Sequence, residues 1–147
     1  MSNLEIENRK AKYDYFIEDT YECGIVLKGS EIKSIREGKA NLKDSYGIIK
    51  NDELFILNFH ISKYENSGTF NHEETRTRKL LVHKKEIYKM RDKINIEGYT
   101  LIPIKLYIKN GKAKILLGIA KGKKNYDKKE AIKERDIEKY NKKTIQY

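Results

Sequence analysis

Few side chains in this sequence have the types and spacing that enzymes use. The histidines His60, His72 and His83 match no standard metal-binding spacing, and only Glu73 and Glu74 lie near them as further ligands. Surface or packing roles are therefore the favoured interpretation of all three. The sequence predicts no metal site.

The sequence also gives no support for a catalytic nucleophile or for a nucleotide-binding loop. The lone Cys23 cannot form an internal disulfide and is best interpreted as a small buried side chain. The serines fit no GxSxG or SxxK pattern, and the glycines form neither a P-loop nor a dinucleotide fingerprint. We expect a non-enzymatic protein without a cofactor.

Charge is the stronger signal. The 147 residues include 32 Lys and Arg against 22 Asp and Glu, a formal net charge of +10, which favours a polyanionic partner. Residues 121–147 hold ten of these cations and five of the acids, and so carry half of the excess. No apolar run approaches the roughly 20 residues that span a bilayer, and the first residues lack a secretion signal. We expect a soluble, cytoplasmic protein with no membrane partner.

The elements that must position these cations begin with a β-hairpin. In YTLIPIKLYIKNGKAKILLGIAKG, two alternating runs flank Asn110-Gly111, a dipeptide that tolerates the positive φ angles of a type I′ turn. The predicted apolar pairs are Ile108 with Ala113, Leu106 with Ile115, Ile104 with Leu117 and Ile102 with Ile119. The outward pairs are Lys109 with Lys112, Tyr107 with Lys114 and Lys105 with Leu116. Cations thus lie beside an aromatic ring on the exposed face.

Further elements are predicted on either side. A second hairpin joins residues 46–50 and 54–59 about Asn51-Asp52, its second strand apolar enough to be covered on both sides. Before it, residues 22–27 form a short strand, and Ser30 caps a helix that Gly38 ends. Residues 66–77 form a loop, 79–83 a short apolar run, and 84–93 a helix with Ile87 and Met90 on one face before Gly98.

Five or so strands with two embedded helices predict a mainly β fold, an OB-type small β-barrel with short flanking helices. A two-layer sandwich with helices on one face remains an alternative. Residues 1–124 would form the barrel, and residues 125–147 a basic C-terminal tail. The tail segment DKKEAIKERDIEKY has good helix formers but no apolar face to bury, so we expect it to be disordered when free.

A basic and aromatic sheet face, a basic exit and a cationic tail are together typical of RNA binding. Lysines neutralise phosphates, and exposed rings stack on unpaired bases. Duplex DNA is disfavoured because no helix-turn-helix or zinc finger is visible. The exit contains Lys121, Lys123, Lys124 and Tyr126.

Three stretches carry a family resemblance: NRKAKYDYFIEDTYECGIVLKGSEIKSIREGKANLKDSY, TRTRKLLVHKKEI and GYTLIPIKLYIKNGKAKILLGIAKGKKNYDKKE. In this order they resemble the SmpB family of bacterial trans-translation. The resemblance implies an OB-type barrel that binds the tRNA-like domain of transfer-messenger RNA. It also implies delivery with elongation factor Tu to stalled ribosomes, whose decoding centre and mRNA channel receive the tail as a helix.

Site residues follow from the resemblance where the motif matches. Glu31 matches an acidic RNA-contact position, with a favourable helix N-terminal charge as the alternative explanation. Leu81 matches a position that supports the RNA-binding surface, although core packing would explain it equally well. Lys114 matches an RNA-binding lysine. The full predicted RNA-binding set is Glu31, Arg36, Leu81, Lys105, Tyr107, Lys114, Lys121, Lys123 and Lys124.

The tail supplies the residues expected at the ribosomal decoding centre. They are Tyr126, Asp127, Lys128, Lys129, Lys133 and Arg135. Lys129 stands where the family more usually has arginine. Lysine keeps the positive charge but lacks the planar guanidinium that makes bidentate contacts. Two alternatives to the family function remain: a ribosome-associated or chaperone-like OB protein that binds other structured RNA, and a metal-dependent nuclease that uses histidines and carboxylates.

Overall fold

The computed structural model describes residues 4–64 and 71–123, in which strands predominate over helices. The strands are β1 (Glu5–Glu7), β2 (Tyr15–Ile25), β3 (Ala40–Asn41), β4 (Tyr46–Lys50), β5 (Glu53–Leu57), β6 (His60–Ile61), β7 (Arg78–Leu81), β8 (Thr100–Lys109) and β9 (Lys112–Gly122). The helices are α1 (Arg9–Asp14), α2 (Gly29–Arg36) and α3 (Lys84–Glu97). Within these residues no helix is both long and apolar enough to span a bilayer.

The strand pairings close into a ring. All are antiparallel, and they run in the order β8, β4, β5, β7, β2 and β9, with β9 pairing back onto β8. β1 pairs with β8 at Glu5 to Glu7, and β3 and β6 form a separate two-stranded sheet. The expectation of a mainly β fold with short helices is confirmed, but the expected five strands and two helices are too few. Strands of two to four residues, such as β1, β3 and β6, are too short to show a period in the sequence.

The hairpin about Asn110-Gly111 is confirmed, with φ angles of 54° and 76° at the two turn residues. The predicted pairs from Lys109–Lys112 to Lys105–Leu116 are all present, Tyr107 opposite Lys114 among them. The predicted pairs beyond these are wrong. The register shifts by one residue between Pro103 and Lys105, so the remaining strand pairs one step out of phase.

A β-bulge centred on Ile104 causes the shift, so that Pro103 rather than Ile104 lies opposite Leu117. Pro103 has no N–H to give to a ladder, which favours an irregularity at this position. Asn8 stabilises it: its backbone N–H donates to the Ile104 carbonyl at 2.8 Å, and its side-chain amide donates to the Pro103 carbonyl at 2.9 Å. The signal that the sequence reading missed was therefore the single proline of the chain.

The strand predicted at residues 22–27 is part of the much longer β2, which begins at Tyr15. Residues 18–20 of this strand are charged or polar and exposed, and a register shift between Ile17 and Asp19 interrupts the alternation. Both features hide the strand from a search for period two. β2 pairs with β9 along most of its length and with β7 at its C-terminal end, so it connects these two strands in the ring.

The second hairpin has the predicted turn, with Lys50 opposite Glu53 and positive φ angles at Asn51 and Asp52. Its second strand is not covered on both sides. Leu54 and Ile56 are fully buried, whereas the alternate residues Glu53, Phe55 and Leu57 are half-buried. The strand therefore has one core face, which is the usual arrangement in an antiparallel sheet.

Both predicted helices are present, but the predicted cap of the first is wrong. α2 begins at Gly29, so Ser30 lies inside the first turn and its hydroxyl bonds to His72 Nδ1 at 2.8 Å. Instead, the Glu31 carboxylate accepts the backbone N–H of Lys28 at 2.7 Å. The predicted ends are confirmed: Gly38 and Gly98 each follow a helix with φ of 74°. α3 runs four residues further than predicted, to Glu97.

A single principal core fills the ring, and both later helices add to it. Ile35 of α2 and Ile87 and Met90 of α3 are buried against strand residues. The strand residues are chiefly Cys23, Leu54, Ile56, Leu80, Leu101, Leu106, Ile115, Leu117 and Ile119. Of the predicted loop at 66–77, residues 71–77 carry no helix or strand, and residues 66–70 lie outside the described part. The tail, and with it the predicted boundary at residue 124, also lies outside it.

Candidate nucleic-acid interface

One row of side chains crosses four neighbouring positions on the outer face of the ring. Tyr107 lies opposite Lys114, Lys114 opposite Gly24, and Gly24 opposite Leu81. Leu81 is 50% exposed, so its alternative assignment to the core is wrong. Three predicted residues from three different strands thus share one surface. The hairpin register places Lys114 beside Tyr107, and the pairing of β7 with β2 brings Leu81 to them.

Tyr107 is held in place within this row. Its hydroxyl donates to the Glu22 carboxylate, and the Lys105 ammonium lies 5.5 Å from the ring centroid. Burial, followed by the contact with Glu22, raises the pKa of Tyr107 to about 12, so the phenol stays protonated at neutral pH. Lys105 also lies 3.5 Å from Glu5. The aromatic ring of Tyr107 is therefore an oriented, uncharged surface that lies between lysines.

Glu31 is buried, although a residue that contacts RNA directly is expected to be exposed. Its side chain is fully buried, and each of its carboxylate oxygens accepts a hydrogen bond from an arginine. Arg78 Nε donates at 2.6 Å, while Arg76 donates through Nε at 3.0 Å and Nη2 at 2.8 Å. A direct contact of Glu31 with a base stays a prediction. In this structure its carboxylate fixes two guanidinium groups.

Arg78 is the most deeply buried cation in the described part of the chain. It is 0% exposed and donates to the Phe59 carbonyl at 2.5 Å and the Glu74 carbonyl at 3.2 Å, in addition to Glu31. Burial lowers the pKa of Arg78 and the Glu31 carboxylate opposes this shift. The pair thus joins α2, β7 and the segment that precedes β7 into one unit.

Arg76 and Arg78 were missed as site residues, although the sequence held a signal. Arginine is scarce here, six residues against 26 lysines, yet two stand two apart in TRTRK. In extended backbone that spacing directs both side chains to one face, and here Arg76 lies just before β7 while Arg78 is its first residue. Arginine rather than lysine suits a paired, planar contact with a carboxylate. Two closely spaced arginines in a chain that otherwise uses lysine could therefore have indicated a paired contact with a carboxylate.

The ion pair also predicts how stability depends on pH. Burial opposes ionisation of Glu31, but hydrogen bonds from Arg76, the Lys28 N–H and Arg78 outweigh it and hold the pKa of Glu31 below its ordinary value of 4.5. A carboxyl with a lowered pKa in the folded state stabilises the fold above the unfolded pKa, and this stabilisation is lost as pH falls through the folded pKa. We expect the unfolding midpoint in urea to stay flat from pH 7 to about pH 5 and to fall below it.

Glu31→Gln supplies the control for that titration. The variant has no carboxyl at this position, so its midpoint should fall less between pH 5 and pH 3 than that of the wild-type protein. Equal slopes for the two proteins would assign the acid sensitivity to the other carboxylates with lowered pKa, Glu18, Glu22 and Glu53.

Lys121 and Lys123 form a second surface, apart from the first. Lys121 lies near the end of β9 and Lys123 directly after it, and Lys121 is seven residues beyond Lys114, roughly 23 Å along a strand. Both register shifts in the pairings of β9 lie on its partner strands. Lys114 and Lys121, an odd number of residues apart, therefore point to opposite faces of β9. The structure does not bring these predicted residues to one place.

Aromatic rings organise the second surface. Lys121 lies 4.6 Å from the centroid of Tyr99, and Lys123 lies 5.2 Å from that of Phe16. Sequence reading missed both rings because they lie on β2 and before β8, far from the lysines in sequence. Arg36 is exposed at the end of α2 and belongs to neither cluster. Lys124 and the predicted decoding-centre residues lie outside the described part.

The histidines and the cysteine have structural environments. His72 is buried, and its Nε2 lies 2.9 Å from the Ile61 carbonyl. Cys23 is fully buried, as expected, and burial raises the pKa of its thiol to about 12, which makes it a poor nucleophile. His60 pairs with the Glu74 carboxylate at 3.4 Å on the surface. Residues 4–64 and 71–123 contain no group of three or more ligands able to hold a metal ion.

Comparison with known proteins adds sequence and structural relatives. The family model described as SmpB protein matches residues 5–147. An SsrA-binding protein of Shouchella clausii (strain KSM-K16) is 58% identical over 130 residues, covering 88% of this chain and 83% of that protein. One from Staphylococcus aureus (strain Newman) is 57% identical over 131 residues, 89% of this chain and 85% of the relative.

A solved structure is also similar. It is described as "tmRNA-SmpB: a journey to the center of the bacterial ribosome", and it matches with a TM-score of 0.69 and 44% sequence identity. The match covers 81% of this chain and 84% of that chain. Sequence and fold therefore point to the same set of proteins.

Proposed function

The chain belongs to the SmpB family, and from this premise we propose that it is a non-enzymatic factor that binds transfer-messenger RNA. In trans-translation it would deliver this RNA to stalled ribosomes, rescuing them and allowing the incomplete protein to be tagged. The observation that carries the proposal is the family match over residues 5–147, together with the 44% identical structure of an SmpB protein with tmRNA on the ribosome.

The folded part would bind the tRNA-like domain of this RNA. Its six-membered ring of strands supports an OB-type barrel, since closure through β8 and β9 leaves no open edge between them. The outer row of Tyr107, Lys114 and Leu81 offers an oriented ring, a cation and an exposed apolar side chain together. That combination suits structured RNA, in which phosphates lie close to unpaired bases.

The other predicted residues divide between two tasks. Lys105 would support the outer row through its contact with Tyr107. Glu31 would act as a positioning residue, because its carboxylate holds Arg76 and Arg78 rather than facing solvent. Arg36, Lys121, Lys123 and Lys124 would contact RNA outside that row. The tail residues Tyr126 to Lys129, with Lys133 and Arg135, would act in the small-subunit decoding centre and mRNA channel.

We place elongation factor Tu in the delivery complex and the protein in the cytoplasm, where ribosomes stall. Support for both is the family membership alone. The test of the whole proposal is to purify the protein from cells, sequence the RNA bound to it, and incubate intact RNA with the protein as a cleavage control. Enrichment of one tRNA-like RNA is expected. Mixed ribosomal RNA, or cleavage that depends on a divalent cation, would instead favour the two alternative functions.

Lys114→Ala tests the outer row. Removing a phosphate contact should weaken binding to the tRNA-like domain about five- to tenfold at 0.15 M salt, and lower the slope of log affinity against log salt by about one. The measurement is a titration of labelled RNA at several salt concentrations. Because Lys114 is partly exposed and forms no ion pair among the described residues, the fold should be unaffected.

Lys50→Ala is the matched control. Lys50 is an exposed lysine at the turn of the β4–β5 hairpin, outside the outer row, and its removal costs the same unit of charge. It should change affinity less than twofold. If both variants weaken binding equally, net charge rather than the outer row determines the affinity.

A further inference from the structure

The ring of strands is closed between β4 and β8 by a single residue pair. β4 pairs with β5 along its whole length, but with β8 only where Gly47 lies opposite Leu101. Two residues further along β4, the position opposite Ile49 falls at Tyr99, which precedes β8 and forms no strand pair. The two chains therefore separate beyond Gly47, and within the described residues no strand covers the edge of β4 at Ile49.

The backbone of Ile49 presents a donor and an acceptor on this edge. The two-residue turn at 51–52 makes its flanking residues, Lys50 and Glu53, a hydrogen-bonded pair. Bonded and non-bonded residues alternate along an antiparallel ladder, so Ile49 directs its N–H and C=O away from β5, as Gly47 does. Gly47 meets β8, whereas no backbone hydrogen bond reaches Ile49 on this side from any part of the chain that the structure describes.

A cleft of about 440 Å³ lies along this edge, between β4, α3 and the start of β8. We call it the β4–α3 cleft; Ile49, Arg91, Ile94, Asn95, Tyr99 and Leu101 are among the residues that line it. Its inner wall is apolar, because Ile94 and Leu101 both belong to the core or pack against it. An unpaired strand edge beside an apolar pocket is the arrangement by which an extended peptide adds to a sheet.

The cleft is closed at one end. β8 occupies the line that an added strand would follow, and a Cβ on Gly47 would stand only 3.0 Å from the Leu101 Cβ, so the chains leave no gap there. A strand added at Ile49 therefore has to end before Leu101. If it ran antiparallel to β4, it would run toward Gly47, and its carboxyl end would lie at the closed end.

The closed end is cationic. Lys121 Nζ lies 4.6 Å from the centroid of the Tyr99 ring, and Lys121 forms no salt bridge with any carboxylate of the described residues. Glu18, which bonds to Tyr99, is already paired with Lys93 at 2.7 Å. A ligand carboxylate at this end would therefore meet a cation that no salt bridge compensates.

We propose that the β4–α3 cleft binds the C-terminal residue of a partner protein by β-strand addition. The amide N–H of that residue donates to the Ile49 carbonyl, and one carboxylate oxygen accepts the Ile49 N–H. The other oxygen faces Lys121, and an apolar side chain packs against Ile94 and Leu101. One free residue on a strand edge is sufficient for a chain terminus, whereas an internal strand needs several pairs.

The inference adds a protein partner to the proposed RNA-binding function and does not depend on it. Lys121 would serve either the peptide carboxylate or RNA at one time.

A peptide series tests the chemistry. Fluorescent pentapeptides Gly-Ala-Ala-Ala-X, in which X is varied over all amino acids, are titrated with the full-length protein. Peptides that end in Val, Leu or Ile should bind about tenfold more tightly than those that end in Gly or Asp, because only the former bury an aliphatic side chain. The valine peptide with an amidated C-terminus should bind about tenfold more weakly than the free acid.

Amide exchange locates the peptide on the protein. With saturating valine peptide, hydrogen exchange of the Ile49 N–H, followed by NMR, should slow about tenfold because this group gains an acceptor. Ile48 supplies the internal control. Its N–H already bonds within the β4–β5 ladder, so its exchange rate should change less than about twofold.

Two substitutions test the walls of the cleft. Asn95→Trp introduces a large side chain at an exposed position that lines the cleft, so it should fold and weaken valine-peptide binding about tenfold. Ile96→Trp, at the next exposed position outside the lining, should bind as the wild type does. Lys121→Ala should weaken binding of the free acid about fivefold but not that of the amide. Lys89→Ala removes the same charge from an exposed site on α3 and should change neither.

The possible outcomes each decide the inference. No preference for an apolar last residue, equal affinity for acid and amide, or unchanged exchange at Ile49 would overturn it. Protection of Ile49 that depends on protein concentration alone would assign the cleft to a second copy of the chain. Protection by an RNA oligonucleotide but by no peptide would assign it to RNA. Neither of these results would support a peptide terminus, and none of the outcomes affects the role proposed for the outer row.

Discussion

Glu31→Ala should lower the free energy of unfolding by roughly 3–5 kcal/mol, the usual cost of removing one partner from a buried ion pair. The substitution leaves the Arg78 guanidinium buried without its carboxylate, at a site that is 0% exposed. It also removes the acceptor of the Lys28 N–H at the start of α2. Urea unfolding at pH 7, followed by circular dichroism, measures the loss.

Glu53→Ala is the control for this prediction. Glu53 also pairs with a cation, Lys79, at 2.6 Å, but the side chains of both residues are more than 40% exposed. Water already solvates an exposed pair, so its removal should leave the unfolding free energy almost unchanged. Similar losses in the two variants would contradict the special role of the buried pair. Glu31→Gln, which keeps the size of the side chain and one acceptor oxygen, should lie between wild type and Glu31→Ala.

The same variant tests how Glu31 affects RNA binding. A positioning role predicts that Glu31→Ala loses stability and RNA selectivity together, because Arg76 and the segment before β7 lose their anchor. A direct contact with a base predicts lost selectivity with unchanged stability. Titrations well below the melting temperature, with the folded fraction measured for each sample, separate the two. The buried geometry favours the first result.

Local features of the fold could be predicted from the sequence where a turn fixed the register. Every predicted pair near Asn110-Gly111 is present, and the second hairpin turns at Asn51-Asp52 as predicted. Errors accumulate away from the turns. The bulge at Ile104 depends on hydrogen bonds from Asn8, nearly a hundred residues earlier, and no periodic pattern in the strand itself reveals it.

The candidate site was predictable for the same local reason. Lys114 beside Tyr107 follows from hairpin register, whereas the exposure of Leu81 depends on β7 pairing with β2 across the sheet. The burial of Glu31 could not be deduced from its position in α2. It requires two arginines about 45 residues later to fold back over it, and such non-local pairs are invisible to propensity and periodicity.

Truncation after Lys124 should abolish tagging of incomplete proteins while leaving affinity for the tRNA-like domain within about twofold. The removed residues 125–147 contain seven Lys and Arg against five Asp and Glu, so they contribute little of the net charge of +10. The surfaces around Lys114 and Lys121 both remain, and binding to phosphates depends on the cations that make contact. Tagging is measured by translation in vitro of an mRNA that lacks a stop codon.

Ile137→Pro is the control that keeps the tail and its charge. Proline costs about 3 kcal/mol or more in a helix interior, so the variant should impair helix formation in the tail. It should retain full RNA affinity and an unchanged melting temperature but tag poorly, as the truncated protein does. Loss of RNA binding on truncation would refute the division between a binding barrel and an acting tail. Normal tagging by Ile137→Pro would show instead that the tail works through its charge and not through a helix.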